Sequence, residues 1–338
     1  MERKTVHLKN QASNLAPGTK WLGKWNRNPY RIVKKLGHGA TGSVYLVETR
    51  TGQAAVKIGE NKMSLTSEIN VLKHFSKVKG NVLGPSLWDV DDIEIGNETY
   101  PFFCMEYLKG ESLLEFTKKK GIEWAPILMV QLLGDLDRLH REGWIFGDLK
   151  PENLIVTGPP ARVRWFDVGG TTKIGRSIKE YTEFYDRGYW GLGDRKAEPS
   201  YDLFSAAMIF IQTAYRERFN KPSGNENSLD YLSRRISNMT PLSPYKKILL
   251  HALKGKYTGA QWMKKDVMAA IEARSYKRSY KEKRARSAHP VNKKARNGPN
   301  LRKNKRKKEN SSSYRVEIIL TASFLFLSSI LYFMGQWM

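Results

Sequence analysis

The first third of the chain contains short runs of apolar residues at the spacing of β-strands. Residues 30–48 and 53–60 are rich in β-branched and aromatic side chains and are bounded by turn residues. Such runs predict strands joined by tight turns. The pattern then changes to helical spacing, with Ile69, Leu72 and Phe75 on one side. This part of the sequence therefore predicts a small sheet with a helix beside it.

Beyond residue 109 the apolar residues recur mainly at helical spacing. The segments that show it are 124–143, 200–219, 243–255 and 260–274. A strand-rich part followed by a helical part predicts an α+β protein of two lobes with a cleft between them. The predicted boundaries are an N-terminal extension at 1–27, a β-rich N-lobe with its hinge at 28–108, and an α-rich C-lobe at 109–273.

An uncharged apolar run lies at the end of the sequence. Residues 318–338 carry no charged side chain, and a helix of this length, roughly 30 Å, matches the hydrocarbon thickness of a bilayer. We predict a transmembrane helix over 316–338. Because basic residues precede it, the positive-inside rule predicts a single-pass protein of the cytoplasmic membrane, with residues 1–313 in the cytoplasm and the C-terminus outside.

The formal net charge of +25 is concentrated in one segment. Sixteen Lys and Arg residues lie within 274–308, opposed up to residue 309 only by Glu282 and Glu309. We predict a basic, disordered juxtamembrane linker over 274–315. It could serve as a topology signal, attract anionic membrane lipid at about 1 kcal/mol per basic residue, or bind nucleic acid.

The spread of these cations favours DNA, because proline and glycine interrupt the segment and the charges do not cluster beside the bilayer. Lipid attraction and a topology signal stay open as alternatives. The cations predicted to contact DNA are Lys293, Lys294, Arg296, Arg302, Lys303, Lys305, Arg306, Lys307 and Lys308.

The single cysteine and the N-terminal residues bear on the cellular compartment in which the protein works. The single cysteine, Cys104, cannot form an internal disulfide and lies in an apolar run, so we expect a small buried side chain in a reducing compartment. No group of Cys and His has metal-ligand spacing. The N-terminal residues lack the apolar core of a secretory signal.

A glycine-rich turn is predicted between the first two strand-like runs. Gly37, Gly39 and Gly42 stand at G-x-G-x-x-G spacing and are followed by Val44. Glycines allow backbone N–H groups to approach phosphate oxygens closely. A plain turn between strands explains the glycines equally well on this evidence alone. The segment that follows is a strand, which distinguishes it from a dinucleotide-binding fingerprint.

Two charged residues, Lys57 and Glu68, follow the glycine-rich turn. Lys57 ends an apolar strand, and Glu68 lies eleven residues further on, in the predicted helix. A lysine that faces a cleft can pair with nucleotide phosphates while a glutamate holds it in place. Either residue alone would ordinarily be a solvated surface charge.

Four polar residues in the second part of the chain suit phosphoryl transfer. Asp148, Lys150 and Asn153 lie in the stretch Gly-Asp-Leu-Lys-Pro-Glu-Asn, and Asp167 follows a strand-like run. Carboxylate and amide oxygens are hard ligands that suit Mg²⁺ beside phosphates. A turn would also favour Asp, Pro and Asn, but the register with Lys57 favours a site.

In this order and spacing the motifs resemble those of bacterial Hanks-type serine/threonine protein kinases, over about residues 28–270. The resemblance implies a two-lobed protein-kinase-like fold, ATP with Mg²⁺ or Mn²⁺, and protein substrates with Ser or Thr acceptors. It implies that Asp148, Lys150, Lys57 and Glu68 are catalytic, and that Asn153 and Asp167 bind metal. The nucleotide contacts it implies are Gly37, His38, Gly39, Ala40, Gly42, Val44, Ala55, Lys57, Met105, Glu106 and Leu108.

Two departures from the family pattern lie near the catalytic aspartate. Phe146-Gly147 replaces the usual His-Arg, and Val168 replaces the usual Phe after the metal aspartate. The family's arginine holds a phosphorylated activation loop, which Gly147 cannot do, whereas Phe146 can pack as the histidine does. We therefore expect control by something other than activation-loop phosphorylation. Asp202 fits the family's helical aspartate that braces the catalytic loop.

A further departure concerns the segment on which the protein substrate docks. Thr182 and Tyr185 keep the family's T-x-x-Y spacing, but Arg187-Gly188-Tyr189 replaces Ala-Pro-Glu. The arginine that pairs with that glutamate is also missing, since residues 254–259 read Lys-Gly-Lys-Tyr-Thr-Gly. We expect a docking platform that is looser than usual or rebuilt.

Two other functions remain as alternatives. Small-molecule phosphotransferases of kinase-like fold carry a glycine before the catalytic aspartate, as this chain does. A catalytically weak scaffold that binds DNA or lipid at the membrane is the second. The full glycine turn, the Lys-Pro-Glu after the catalytic aspartate and the survival of every phosphate-handling residue favour a protein kinase. We hypothesise that DNA gathers kinase domains by transient self-association and promotes autophosphorylation in trans.

Overall fold

The computed structural model describes residues 14–39, 41–60, 62–78, 83–222, 224 and 226–287. Side chains are described as far as Tyr276. Ala40, the nine cations predicted to contact DNA and the membrane span predicted at 316–338 lie outside this part of the chain.

The N-terminal lobe contains a six-stranded antiparallel sheet in the order β1-β2-β3-β4-β6-β5. Its strands are β1 Lys20–Leu22, β2 Pro29–Gly39, β3 Gly42–Thr49, β4 Gly52–Gly59, β5 Leu87–Ile95 and β6 Glu98–Glu106. The predicted strands are confirmed. Strand β1 pairs with β2, with Lys20 opposite Arg31, so the sheet begins inside the range that we assign to an N-terminal extension.

One helix, α1 Lys62–Phe75, packs against this sheet. Its buried face contains Leu65, Ile69, Leu72 and Phe75, as the helical spacing predicts. Glu68 lies on the same buried face. Burial of the apolar side chains, at about 25 cal/mol per Å² of apolar surface removed from water, therefore also fixes where the Glu68 carboxylate points.

The C-terminal lobe is mainly helical, as predicted. Its helices within the described residues are α2 Leu113–Lys120, α3 Trp124–Arg141, α4 Pro199–Tyr215, α5 Ser228–Asn238, α6 Lys246–Leu253 and α7 Ala260–Ser287. Helix α4 is buried from Tyr201 to Thr213 and packs against α3 and α6. Such a helix, apolar on all sides, forms the centre of its lobe.

Short strands hold the polar loops of the C-terminal lobe in place. Strands β7 Gly110–Ser112, β9 Leu154–Thr157 and β10 Arg162–Trp165 form one small sheet, and β8 Trp144–Ile145 pairs with β11 Thr172–Lys173. The loop that contains Asp148 is thus fixed at both ends, by β8 and β9. Asp167 follows directly after β10.

The main apolar core joins the two lobes, because α1 side chains and α3–α4 side chains belong to one cluster. A second cluster lies within the N-terminal lobe and includes Cys104, which is 2% exposed. The prediction of a buried cysteine is confirmed. Burial raises the pKa of its thiol to about 12, so the thiol is unreactive at neutral pH.

Helix α7 runs past residue 273, where we place the end of the lobe and the start of the linker. The added residues up to Ser287 are mostly Lys, Arg, Ala and Ser, of which the first three favour helix over coil. None of the helices in the described ranges combines the length and the apolar character that crossing a membrane requires.

Candidate active site

The glycine-rich turn lies between β2 and β3, where Gly37 pairs with Val44 and Gly39 with Gly42. Gly42 has φ +144°, and a Cβ there would lie 2.1 Å from the Ile58 carbonyl oxygen. Only glycine fits at that position. The strands therefore hold the turn close above the cleft, where its backbone can meet a phosphate.

A cavity of about 430 Å³ lies under this turn, between the two lobes. Every predicted nucleotide contact within the described residues lines it: Gly37, His38, Gly39, Gly42, Val44, Ala55, Lys57, Met105, Glu106 and Leu108. Leu36, Ile155, Phe166 and Glu180 also line it, and sequence reasoning missed them. No motif marks these four positions: an apolar wall such as that of Leu36, Ile155 and Phe166 can be built from many residue types, and Glu180 stands in no recognisable pattern.

The hinge segment after β6 is anchored through a side chain. The carboxylate of Glu106 accepts hydrogen bonds from Nη1 and Nη2 of Arg164, at 2.6 and 2.9 Å. Burial acts to raise the pKa of Glu106, but the bonds from Arg164 and Ser86 hold that pKa below its ordinary value. Because Arg164 holds the Glu106 side chain, the backbone N–H and C=O groups of the hinge are left to recognise the edge of a nucleotide base.

A buried ion pair links β4 to α1. Nζ of Lys57 donates to Oε2 of Glu68 at 2.6 Å. The structure thus brings together the two residues whose separation predicted a pair, and Asp167 lines the same cavity. The lysine ammonium is therefore held where nucleotide phosphates would enter.

The loop with Asp148 is braced from helix α4. The buried Asp202 carboxylate accepts backbone N–H bonds from Phe146 at 2.8 Å and Gly147 at 2.9 Å. It also lies 2.9 Å from Nε2 of His140. Phe146 is buried with its ring 5.1 Å from that of Trp165. Packing by Phe146 and bracing by Asp202 are as predicted.

Two polar side chains, those of Lys150 and Thr182, converge at the Asp148 carboxylate. Lys150 Nζ contacts Oδ2 of Asp148 and donates to the Thr182 hydroxyl at 3.2 Å. The Thr182 hydroxyl in turn donates to Oδ1 of Asp148 at 3.0 Å. Asp148 can thus orient an acceptor hydroxyl and take up its proton, while the Lys150 ammonium stabilises the phosphoryl group in transfer.

Asn153 and Asp167 are the residues that would supply oxygens to a metal ion. Nδ2 of Asn153 donates to the backbone oxygen of Asp148 at 2.9 Å, so its amide oxygen is the atom suited to a cation. Oδ1 of Asp167 accepts from Gly169 N at 3.0 Å. Two such donors fit a hard cation completed by phosphate oxygens, and the described residues contain no closed cluster of His, Cys, Asp and Glu that could hold a metal alone. A divalent cation held there would neutralise charge on the phosphates.

Comparison with known proteins agrees with this geometry. The protein kinase domain profile matches residues 30–258. Serine/threonine-protein kinase YabT of Bacillus subtilis (strain 168) is 54% identical over 265 residues, which is 78% of this chain and 78% of that protein. Aurora/IPL1-related protein kinase 2 of Caenorhabditis elegans is 29% identical over 147 residues, 40% of this chain and 46% of that protein. Because the domain match covers more than half of the sequence, the chain belongs to the protein kinase family, and it is a serine/threonine protein kinase.

Proposed function

We propose that this kinase works at the cytoplasmic membrane and is regulated by DNA that binds its basic segment. Residues 316–338 anchor it, and the catalytic domain faces the cytoplasm. DNA that binds the cations of residues 274–308, the first of which lie on α7, gathers several kinase domains, which then phosphorylate one another. The metal is Mg²⁺, because the donors are an amide and a carboxylate oxygen and the remaining ligands would be phosphate oxygens.

The observation that carries the proposal is Gly147, which stands beside an otherwise intact catalytic loop. Asp148, Lys150 and Thr182 are hydrogen-bonded to one another, whereas Gly147 offers no guanidinium for a phosphorylated activation loop. An intact site without that control leaves regulation to another part of the chain. The sixteen cations of residues 274–308 are the most distinctive candidate in the sequence.

The charge density of the segment favours a polyanion over a small ligand. Each DNA phosphate that is neutralised releases counterions, so the affinity should fall by roughly 0.9 log units per log unit of salt for every phosphate contacted. Tyr276, which is 74% exposed on α7, could stack on a base. Anionic membrane lipid is the competing polyanion and is treated as an outcome of the test.

Phosphoryl transfer is tested with the full-length chain in detergent, labelled ATP and Mg²⁺. We expect label on Ser and Thr of protein, and its loss in Asp148→Asn. Asp137→Asn is a matched control, because Asp137 lies outside the cavity and pairs with Arg141, whose side chain is 69% exposed. Label on small amino alcohols or antibiotics alone would contradict the proposal.

Regulation is tested by adding duplex DNA at low salt to the wild-type chain and to a variant with the nine linker cations changed to Gln. We expect DNA to stimulate autophosphorylation of the wild type only, and a catalytically inactive Asp148→Asn copy to accept label in trans. Equal stimulation of both chains, or stimulation by anionic vesicles but not by DNA, would overturn the DNA mechanism. Flotation of the full-length chain with liposomes, and its loss when residues 316–338 are deleted, tests the anchor.

A further inference from the structure

The segment that follows Thr182 lies beside the catalytic carboxylate. Because the Thr182 hydroxyl contacts Asp148, the residues after it border the place where an acceptor hydroxyl must lie. We call residues 182–189 the substrate platform. Phe184 and Tyr185 are buried within it, and the Trp190 indole N–H donates to the Phe184 carbonyl oxygen at 2.9 Å.

A fully buried carboxylate organises the end of this platform. The side chain of Asp186 is 0% exposed. Its Oδ1 accepts from Gly188 N at 3.1 Å and from the Tyr201 hydroxyl at 2.9 Å. Its Oδ2 accepts from Tyr189 N at 2.8 Å and from Arg195, through Nε at 2.9 Å and Nη2 at 2.7 Å.

This carboxylate thus has five donors, and two of them are platform backbone groups. A buried carboxylate needs such compensation, since its charge is otherwise poorly solvated. The guanidinium of Arg195 is the cation that makes its burial tolerable. The side chain of Arg195 is itself 41% exposed, so it is within reach of solvent.

The neighbouring Arg187 anchors the platform to the start of helix α4. It is 5% exposed, and its Nη1 donates to the Ser200 hydroxyl at 2.6 Å. Its Nη2 donates to Asp194 at 2.7 Å and to Glu198 at 2.9 Å. An arginine therefore stands buried in the stretch where the family resemblance leads us to expect Ala-Pro-Glu.

Residues 175–178, which we call the activation segment, precede the platform and are hydrogen-bonded to residues 195–197. Gly175 N donates to Ala197 O at 2.8 Å, Ala197 N to Arg176 O at 2.7 Å, and Ile178 N to Arg195 O at 2.9 Å. Residues 175–178 and 195–197 thus form a short antiparallel ladder. Arg195 takes part in the ladder through its backbone oxygen, while its guanidinium binds Asp186.

We propose that Asp186 and Arg195 are positioning residues for the acceptor side of phosphoryl transfer. The fully buried Asp186 carboxylate and the partly exposed Arg195 guanidinium hold the substrate platform, in the stretch where Arg187-Gly188-Tyr189 replaces the family's Ala-Pro-Glu. The ladder orders the activation segment without a phosphate, as the absence of a guanidinium at Gly147 requires. Neither residue lines the cavity of the candidate nucleotide site, so we expect their effect to be on the protein acceptor.

The test compares Arg195→Ala with the wild-type full-length chain, using dephosphorylated casein as acceptor. We expect kcat/KM for casein to fall by roughly tenfold, because the buried carboxylate loses its cation and the platform loosens. The KM for ATP and the slow hydrolysis of ATP without casein should stay within about twofold of wild type. Arg176→Ala is the matched control, since the Arg176 guanidinium has no hydrogen bond or ion pair within the described residues.

Two further measurements separate positioning from folding. Millimolar methylguanidine should restore casein phosphorylation by Arg195→Ala, because the guanidinium site is open to solvent. Arg195→Lys keeps the charge but cannot give two N–H groups to one oxygen, so we expect an intermediate kcat/KM; this variant serves if Arg195→Ala does not fold. An unchanged kcat/KM for casein, an equal loss of ATP hydrolysis, or failure of both methylguanidine and lysine to restore activity would overturn the proposal.

Discussion

Lys57 and Glu68 form a buried ion pair in which 2.6 Å separates Nζ from Oε2. Their side chains are 7% and 3% exposed. Burial raises the pKa of Glu68 to about 7, although the charge of Lys57 acts in the opposite direction. The Glu68 carboxyl, which positions Lys57, therefore has a pKa of about 7, near neutral pH.

We predict that kcat/KM for ATP falls as the pH drops below about 7. Protonation of Glu68 removes the negative charge that holds Lys57 toward the cleft. The variant Glu68→Gln should have low activity that changes little over this pH range. Glu94→Gln, which removes an exposed ion pair with Lys24, should keep the wild-type profile. A wild-type profile as flat as that of Glu68→Gln would contradict the assignment.

The same pKa has a consequence for stability. The native pKa of Glu68 lies above its ordinary value of 4.5, so the native state binds this proton more tightly than the unfolded chain does. The resulting stabilisation is complete below about pH 4.5 and is lost as the pH rises through about 7. The unfolding free energy of the wild type should therefore decrease relative to that of Glu68→Gln across this range, as measured by urea titration.

Gly147 is a second position at which a small substitution should test the geometry of the catalytic loop. It has φ +85°, and a Cβ there would lie 2.7 Å from the Gly170 carbonyl oxygen. Gly143 has φ +80° with no atom within 4 Å of its Cβ position. Both Gly→Ala variants should lose about 1–2 kcal/mol of stability through the backbone.

Only Gly147→Ala should also displace the catalytic loop, so we expect its kcat to fall by roughly tenfold. Gly143→Ala should keep the wild-type kcat once thermal stability is accounted for. Steady-state kinetics well below the melting temperature of both variants would show this. Equal kcat values would mean that the contact with Gly170 is relieved without moving Asp148.

The sequence predicts the catalytic centre well because its chemistry tolerates few residue types. The spacing of the motifs and their resemblance to the protein kinase family together predict roles for Lys57, Glu68, Asp148, Asn153 and Asp167. Their positions depend on β4, α1 and the strands that flank the catalytic loop, and the apolar pattern predicts most of these.

The contact between Asp186 and Arg195 could not be predicted, because no sequence motif links the two residues. Asp186 and Arg195 are nine residues apart in a loop, where a carboxylate and a guanidinium are ordinarily solvated. In the fold, the Asp186 carboxylate is fully buried and accepts two hydrogen bonds from the Arg195 guanidinium. The end of α7 was also misplaced, since a basic composition suits a solvated helix as well as a linker.

The Thr182 hydroxyl should contribute to catalysis through Asp148 and Lys150. It donates to Asp148 at 3.0 Å and accepts from Lys150 at 3.2 Å. Thr182→Val keeps the shape but removes this bridge, and a hydrogen bond to a charged group is worth about 1.5–3 kcal/mol. We expect kcat to fall by at least about tenfold, with KM for ATP unchanged. Thr182→Ser should retain most activity, and equal kcat values for the two variants would argue against the bridge.

Arg164 should control the affinity for ATP from outside the cavity. It donates to both carboxylate oxygens of Glu106 and to the Gly84 carbonyl oxygen at 2.6 Å, so it ties the hinge to the loop before β5. Arg164→Gln frees this end of the hinge and should raise KM for ATP several-fold while kcat changes little.

The contribution of the Arg164–Glu106 ion pair to the unfolding free energy should decrease as the pH is lowered. Because the native pKa of Glu106 is lowered from 4.5, the stabilisation is present above about pH 4.5 and is lost as the pH falls through the native value. A double-mutant cycle with Arg164→Gln and Glu106→Gln, followed by urea unfolding, should give a coupling of about 1–2 kcal/mol at neutral pH. The coupling should shrink in acid. A value that does not change with pH would show that the contact is held by shape and not by charge.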